Sequence, residues 1–265
     1  MKNASIGIMQ GRVSPRFLDR LQIFPLDTWC DELGIAESIG FQHIELLWDS
    51  KHEIKQAKGL MKSIDGLPQL HAPSMVIDSI SKLSSLDDIL AEIFDVFDTF
   101  KDETPSILVI PLLDNAKINT VDSLKKFIKK VESHKVLDLL KLYNVRLALE
   151  LDMPSSGIIE AMEASVCDVI GMCLDSGNLW YYSECPLEDI QKLSKLIIHV
   201  HIKDRDEAGK NVLLGDGLVD FCGFAGVLKK IGYSNYLTLE TKYFKNPVSE
   251  ANKNLKYISK IIKNS

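Results

Sequence analysis

The amino-acid sequence predicts an α/β protein made of one (β/α)8 barrel, a closed ring of eight parallel strands with helices outside. Two observations lead to this prediction. Short apolar runs alternate with longer amphipathic runs along the chain, which is the pattern of a parallel sheet covered by helices. The chain also has 265 residues, about the length of one such barrel, and no linker-like or low-complexity segment divides it. We therefore expect a single domain over residues 1–265.

The strand candidates are eight short apolar runs, and eight is the number that closes this kind of barrel. Each run is separated from the next by enough residues for a helix and a return to the sheet. In chain order, the predicted strands span residues 5–9, 43–47, 69–71, 107–110, 145–150, 170–174, 197–202 and 236–240.

The longer runs between these strands predict helices. In residues 86–100, apolar side chains such as Leu86, Ile93 and Phe97 recur at helical spacing along one face. Gly40 and Gly232 each follow such a run, in the position where glycine commonly ends a helix. The predicted helices span residues 26–39, 53–64, 86–100, 121–143, 221–231 and 246–262.

Composition and charge limit the functions that this chain can have. The net charge is −6 and no basic block is present, which argues against binding to nucleic acid or to a membrane surface. No apolar run approaches the roughly 20 residues of a transmembrane helix. The five cysteines are scattered and include no C-x-x-C pair, as expected for reduced thiols in a cytosolic protein. We therefore expect a cytoplasmic protein.

The last four predicted strands each end on a side chain that can bind a metal, namely Glu150, Asp175, His201 and Glu240. Alternate residues of a strand point to the same face, so the residue two positions earlier shares the face of each candidate. Those neighbours are small or polar: Ala148, Cys173, His199 and Thr238. The opposite face carries bulky aliphatic residues suited to contact with the helices: Leu147, Leu149, Met172, Leu174, Ile198, Val200, Leu237 and Leu239. All four candidates are therefore predicted to point into the barrel.

Three carboxylates at the mouth of one barrel would repel one another, and burial would make their charges still more costly. One divalent metal ion would resolve this conflict. Three carboxylates and one imidazole suit Mn²⁺, Mg²⁺ or Co²⁺, and Zn²⁺ is also compatible. The alternative is that each residue is an isolated ion-pairing group at the end of its strand. The carboxyl ends of the strands are the catalytic end of such barrels, which favours the metal.

Several phrases, in this order and spacing, resemble the xylose isomerase-like sugar phosphate isomerase/epimerase superfamily of TIM barrels. These phrases are IGIMQGR, FQHIELLWD, LALELD, CLDSGN, HVHIKD, LLGDGLVDF and YLTLE. The resemblance implies that Glu150, Asp175, His201 and Glu240 bind one divalent metal. It also implies that Glu150 and Glu240 form the acid–base pair that moves a proton. The superfamily often has histidine where this chain has Asn178, and this departure leaves the substrate open.

A second group of residues is predicted to contact the substrate. Glu45 and His71 end the second and third predicted strands, and LHAP resembles the phrase that carries an inward-facing histidine in the superfamily. Lys203 is placed inward by strict alternation, where its ammonium could polarise a carbonyl group. Asn178 could donate a hydrogen bond to a sugar hydroxyl. For Glu45 the alternative is an ion pair with Arg12 or Lys203, and for His71 it is packing in the core.

Two further features remain less specific. His199 lies one step deeper than His201 on the same face, and we interpret it as a residue behind the metal ligands or in the core. The segment LLGDGLVDF predicts a turn that enters a helix with Asp220 as its N-cap. Its two glycines could approach a phosphate group, but the G-x-G pattern alone is a weak indication of such a site.

Four functions are compatible with these residues. The first is isomerisation or epimerisation of a ketose, a sugar phosphate or a related polyol ketone by enediolate proton transfer. The second is metal-dependent dehydration of an inosose- or dehydroshikimate-like substrate. The third, repair of apurinic DNA, is disfavoured because Pro111 and Asn178 stand where extra metal ligands would be needed. The fourth is a sugar-binding protein without activity. We expect a small carbohydrate as partner, no nucleic acid and no membrane, and the sequence leaves a homo-oligomer possible.

Overall fold

A computed structural model describes residues 4–15, 22–163, 165, 167–242 and 245–264. Its eight strands form a closed barrel in which each strand is hydrogen-bonded to its neighbours in chain order and the last strand pairs with the first. All pairings are parallel. This architecture confirms the predicted (β/α)8 fold.

The strands lie close to their predicted positions, with one exception. They are β1 (Ser5–Met9), β2 (His43–Trp48), β3 (His71–Ile77), β4 (Ile107–Pro111), β5 (Arg146–Glu150), β6 (Ile170–Asp175), β7 (Ile197–Ile202) and β8 (Tyr236–Leu239).

The exception is β3, where the prediction over residues 69–71 is wrong. The strand begins at His71 instead of ending there, and it continues to Ile77. Pro73, which lacks a backbone donor, therefore lies inside the strand. The pairing of β2 with β3 accommodates Pro73 through a register shift between His43 and Glu45. His71 thus lies at the amino end of its strand.

The helices surround this barrel. They are α1 (Trp29–Ile39), α2 (Leu60–Asp65), α3 (Leu86–Phe100), α4 (Val121–Glu132), α5 (Val136–Leu142), α6 (Ser155–Glu163), α7 (Ser176–Tyr182), α8 (Pro186–Lys192), α9 (Phe221–Lys230) and α10 (Pro247–Asn264). Short 3-10 turns occupy Glu53–Gln56, Asp78–Lys82, Lys101–Glu103 and Asp114–Ala116.

Two predicted helices differ from the structure. The helix predicted over residues 121–143 is two helices, α4 and α5, because His134 accepts a hydrogen bond from the backbone N–H of Val136 at its Nδ1, 3.2 Å away. Such a side chain competes with the helical backbone and starts a new helix. The helix predicted over residues 53–64 is a 3-10 turn followed by α2. Three helices, α6, α7 and α8, were not predicted, and each of them has nine residues or fewer.

Two specific predictions about helix ends are confirmed, one at the end of α1 and one at the start of α9. Gly40 follows α1 with φ 103°, a left-handed conformation that glycine adopts without a steric penalty. Asp220 caps α9 by accepting a hydrogen bond from the backbone N–H of Gly223 at 2.9 Å. No helix in the described ranges combines the length and the apolar character needed to cross a membrane.

Apolar side chains form two separate layers. The larger layer lies between the strands and the helices, and it contains seven of the eight aliphatic residues predicted to face outward. The smaller cluster fills the barrel interior and includes Met9, Val109 and Ala148. Ile198 belongs to this inner cluster, so its predicted outward position is wrong. The register between β6 and β7 shifts at this point, and Ile198 turns toward Gly171, where a Cβ atom would lie 2.7 Å from its Cγ2.

Candidate metal centre

The structure brings together the four residues predicted to bind a metal. Glu150, Asp175, His201 and Glu240 each offer one ligand atom, and these four atoms lie within 4.8 Å of one another. They come from the carboxyl ends of β5, β6, β7 and β8, with Glu240 directly after its strand. All four are at most 9% exposed to solvent.

Asn178 connects two of these carboxylates. Its backbone N–H donates to Oδ1 of Asp175 at 2.8 Å, which makes Asp175 both the last residue of β6 and the N-cap of α7. Its side-chain Nδ2 donates to Oε1 of Glu150 at 2.9 Å. The first turn of α7 therefore orients Asp175 and Glu150 together.

Lys203 places a positive charge among the carboxylates. Its Nζ atom lies 2.7 Å from Oδ2 of Asp175 and 3.3 Å from Oε2 of Glu240. Its side chain points into the barrel, as alternation along β7 predicts. Burial by itself would lower the pKa of Lys203, but Asp175, Glu240 and Glu150 raise it above the usual value. Lys203 therefore stays charged.

The two glutamates of the group have different electrostatic surroundings. Burial, together with the charge of Asp175, raises the pKa of Glu150 to about 7. Burial also acts to raise the pKa of Glu240, but Lys203 and His201 outweigh it and lower this pKa below its usual value. A carboxyl group that can hold a proton near neutral pH thus lies close to one that is ionised.

His201 uses its two ring nitrogens for different neighbours. Its Nε2 lies 2.7 Å from Oε1 of Glu45, and its Nδ1 lies 3.0 Å from Oε2 of Glu240. Burial lowers the pKa of His201, whereas Cys173, Glu45 and Glu240 together raise it well above the usual value. The carboxylates around the ring therefore favour a cation at this position, which is a second proton in the metal-free protein and would be a metal ion at Nδ1 of the neutral ring in the metal-bound protein.

These residues fit a divalent cation. Two buried acceptor atoms, Oδ2 of Asp175 and Nδ1 of His201, make no hydrogen bond of good geometry within the described chain. Lys203 is near the first atom and Glu240 near the second, but as charged neighbours only. Three carboxylates and one imidazole are oxygen and borderline nitrogen donors, which suit Mn²⁺, Mg²⁺, Co²⁺ or Zn²⁺.

Among the residues that the structure describes, two other groups of side chains have comparable spacing. In the first, Cys173 lies beside His199 and His201, but burial raises the pKa of Cys173 to about 12 and keeps the thiol protonated. In the second, His52, Glu92 and Asp95 pair internally or with Lys55 on the outside of the barrel. Neither group matches the strand-end set as a metal site.

Glu240 is also held by residues that lie between β1 and α1, a contact that was not predicted from the sequence. Arg12 donates to Oε1 of Gln22 at 2.9 Å, and Gln22 donates to Oε1 of Glu240 at 2.9 Å. The backbone N–H of Gly11 donates to Oε1 of the buried Glu32 at 2.7 Å, which holds this loop against α1. The phrase IGIMQGR marked the loop, but the partners are distant in sequence.

Asp78 is a second residue that the sequence analysis missed. It follows β3 directly and has the same parity as Val76, which packs inside the barrel. Burial raises the pKa of Asp78 to about 6, with Lys82 lowering it and Glu240 raising it further. Asp78 therefore lies near the mouth of the barrel. A correct placement of β3 would have identified it.

The structure places the four residues that were predicted to contact the substrate in different parts of the barrel. Lys203 and Asn178 lie beside the candidate metal ligands. His71 does not, because it begins β3 and stands near His43 and Tyr236, the first residues of β2 and β8, at the opposite end of the barrel. Glu45 is 0% exposed and contacts two histidines below the mouth. The predicted position of both residues is therefore corrected: neither His71 nor Glu45 lies at the mouth of the barrel.

The glycine loop after β7 is organised by Asp204 rather than open to a ligand. Oδ2 of Asp204 accepts hydrogen bonds from the backbone N–H groups of Gly215 and Gly217 at 2.9 and 3.0 Å. Oδ1 accepts from Val219 at 3.1 Å. A Cβ atom at Gly217 would lie 2.3 Å from Oδ1 of Asp204, so this close approach requires glycine. These two N–H groups are already used and do not form a phosphate site.

The fold and the site together define the class of protein. It is a closed (β/α)8 barrel that carries a candidate metal centre at the carboxyl ends of its strands, which is the catalytic end of such barrels. A family model for the xylose isomerase-like TIM barrel matches residues 33–261. The chain therefore belongs to the xylose isomerase-like TIM barrel family.

Individual relatives agree with this assignment. An inosose dehydratase from Glaesserella parasuis serovar 5 is 30% identical over 120 residues, which span 36% of this chain and 40% of the relative. Less than half of that relative is therefore matched. An L-ribulose 3-epimerase structure has a TM-score of 0.73 at 18% identity and covers 98% of this chain and 95% of the other. The zinc-bound structure of IOLI protein has a TM-score of 0.72 at 18% identity and covers 98% of both chains.

Proposed function

We propose that this protein is a divalent-metal-dependent isomerase or epimerase that acts on a ketose, a sugar phosphate or a related polyol ketone. The observation that carries the proposal is the convergence of Glu150, Asp175, His201 and Glu240 at the catalytic end of the barrel. One divalent cation held there would supply Lewis acidity toward the carbonyl group of the substrate and make the neighbouring C–H acidic. The partner of the protein is then a small carbohydrate.

The two glutamates would move the proton. They stand at the two ends of the group, on β5 and β8, with Asp175 and His201 on the strands between them. Asn178 orients Glu150, whereas Gln22 and Lys203 hold Glu240. In this account one glutamate removes the proton beside the carbonyl, and the other returns it to a new position or face.

A second candidate function is dehydration of an inosose-like substrate at the same site. The observation in its favour is the 30% identity to an inosose dehydratase over part of the chain. The first step would be the same removal of a proton. The two functions differ only afterwards, because the resulting enolate either takes up a proton or expels a hydroxide.

Solvent exchange tests the proposal. Protein supplied with Mn²⁺ is incubated in D₂O with ketoses, inososes and their phosphates, and the substrates are examined by NMR and mass spectrometry. We expect one compound to gain deuterium beside its carbonyl group. An isomer as product supports the first function, and a dehydrated product supports the second.

Glu150→Gln and Glu240→Gln should abolish the exchange, since each keeps the side-chain shape but removes the base. Glu160→Gln on the surface of α6 is the control and should exchange as the wild type does, because the Glu160 side chain is 63% exposed. Conversion without deuterium uptake would contradict proton transfer by glutamates. No exchange and no conversion across the panel would contradict the enzymatic function.

A further inference from the structure

A continuous set of buried polar side chains lies beneath the candidate metal ligands, inside the barrel. Its central member is Glu45, on β2. Oε1 of Glu45 lies 2.7 Å from Nε2 of His201, and Oε2 lies 2.8 Å from Nε2 of His199. All three side chains are 0% exposed. One carboxylate therefore faces two imidazole rings without access to water.

The charge of Glu45 determines where the protons of these rings lie. Each of its two oxygens has an imidazole nitrogen within hydrogen-bond distance, which is the arrangement of a carboxylate that faces two donors. An ionised carboxylate only accepts hydrogen bonds. His201 must therefore carry a hydrogen on Nε2 and donate it to Glu45. The nitrogen left with a lone pair in the neutral ring is Nδ1, which faces Glu240 and the other candidate ligands.

From this geometry we infer that Glu45 is a positioning residue that fixes the ring of His201 and presents Nδ1 of that ring to the metal. The inference rests on the proposed metal site. A carboxylate behind a metal-binding imidazole both selects the tautomer and makes the ring a better donor. This positioning role takes the place of the substrate contact that the sequence predicted for Glu45.

The neighbours of Glu45 support this role because they form further hydrogen bonds with a consistent direction from donor to acceptor. These contacts continue toward the amino ends of the strands. Nε2 of His199 is 3.2 Å from Oγ1 of Thr238, and that hydroxyl is 2.9 Å from Nε2 of His43. Nδ1 of His43 is in turn 2.9 Å from Oγ of Ser5. With His199 oriented toward Glu45, Thr238 can donate to His43, and His43 can donate to Ser5.

The lower part of this chain is sterically constrained. A Cβ atom at Gly7 would lie 2.1 Å from Cδ2 of His43, so glycine at this position leaves room for the ring. Burial lowers the pKa of His43 well below its usual value, so this ring is neutral. A neutral ring has one hydrogen to donate, and on Nδ1 of His43 it points to Ser5, which matches the polarity deduced from Glu45.

Metal affinity of Glu45→Gln tests the inference. The amide can accept a hydrogen bond from only one of the two histidines, and it lacks the negative charge. We expect the Kd for Mn²⁺, measured by titration calorimetry, to rise about 10–100-fold, the usual effect of removing such a partner. Glu92→Gln is the matched control, because Glu92 also lies 2.7 Å from Nε2 of a histidine, His52, but outside the barrel. This control should bind Mn²⁺ as the wild type does.

A spectroscopic measurement on the wild type covers the case in which Glu45→Gln does not fold. In Zn²⁺-loaded protein labelled with ¹⁵N, histidine ring spectra identify the coordinating nitrogen. We expect coordination through Nδ1 of His201, with a hydrogen on Nε2. Coordination through Nε2, or equal Mn²⁺ affinity in a folded Glu45→Gln, overturns the inference while the metal site stands. A wild type that binds neither ion overturns the metal site and the inference with it.

Discussion

The ammonium group of Lys203 lies 2.7 Å from Oδ2 of Asp175 at the mouth of the barrel. Both side chains are almost fully buried, at 7% and 2% exposure. The pair therefore stands in a region where an unpaired charge is costly, and Lys203 compensates part of the charge of three carboxylates. This contact leads to the first prediction.

Lys203→Met should destabilise the metal-free protein by about 3 kcal/mol, because breaking a buried ion pair leaves the carboxylates uncompensated. Urea unfolding after treatment with a chelator measures this change. Lys192→Met is the control, since Lys192 is 53% exposed and its pairs with Glu188 and Asp189 should contribute less than about 1 kcal/mol. Equal effects of the two substitutions would rule out a special role for the buried pair.

Glu32 gives a prediction for the dependence of stability on pH. Burial raises its pKa to about 7, although hydrogen bonds from Gly11 and Val13 lower it in part. Because the pKa of Glu32 in the folded protein lies above the usual value of 4.5, the folded state binds more protons between these two pH values. The free energy of unfolding should therefore decrease as pH rises through this interval.

Glu32→Gln removes this dependence. At pH 8 the variant should be more stable than the wild type by about 3 kcal/mol, the cost of ionising the buried carboxyl group. At pH 5 most of this difference should be gone. Parallel urea titrations at the two pH values measure it, and the contributions of other titrating groups cancel in the comparison. A stability difference that does not change with pH would contradict the raised pKa.

Asn178 gives a prediction for catalysis. Asn178→Ala removes the hydrogen bond from Nδ2 to Glu150 but keeps the backbone contact with Asp175. Once a substrate has been identified, KM should rise or kcat should fall by up to about 100-fold, the scale of one or two lost polar contacts. The metal content should stay near that of the wild type. Unchanged kinetics would mean that Asn178 is a structural residue only.

The sequence was sufficient for the fold and for the four strand-end residues because the relevant patterns are local. Glu150 and Asp175, for example, are the last residues of strands whose alternating side chains specify which face is buried, independently of the rest of the chain. The same reasoning failed at Ile198, where the register between two strands shifts. Alternation within one strand contains no information about its partner.

The remaining errors have a similar physical origin. Pro73 lies within β3, although proline is unusual inside a strand. The predicted strand stopped at His71, so a residue at the amino end was assigned to the site and Asp78 was missed. Glu45 was placed at the mouth because its depth depends on how β2 is staggered against β7 across the barrel. The contact of Gln22 with Glu240 joins residues far apart in sequence, and no local pattern predicts such a pair.

Metal binding by variants of the strand-end residues tests the central claim most directly. We expect titration calorimetry to show about one Mn²⁺ per chain for the wild type. Asp175→Ala and His201→Ala should each show no measurable binding, because one of four ligands is lost, while circular dichroism shows that the barrel is still folded. Unchanged stoichiometry and affinity in both folded variants would contradict the account.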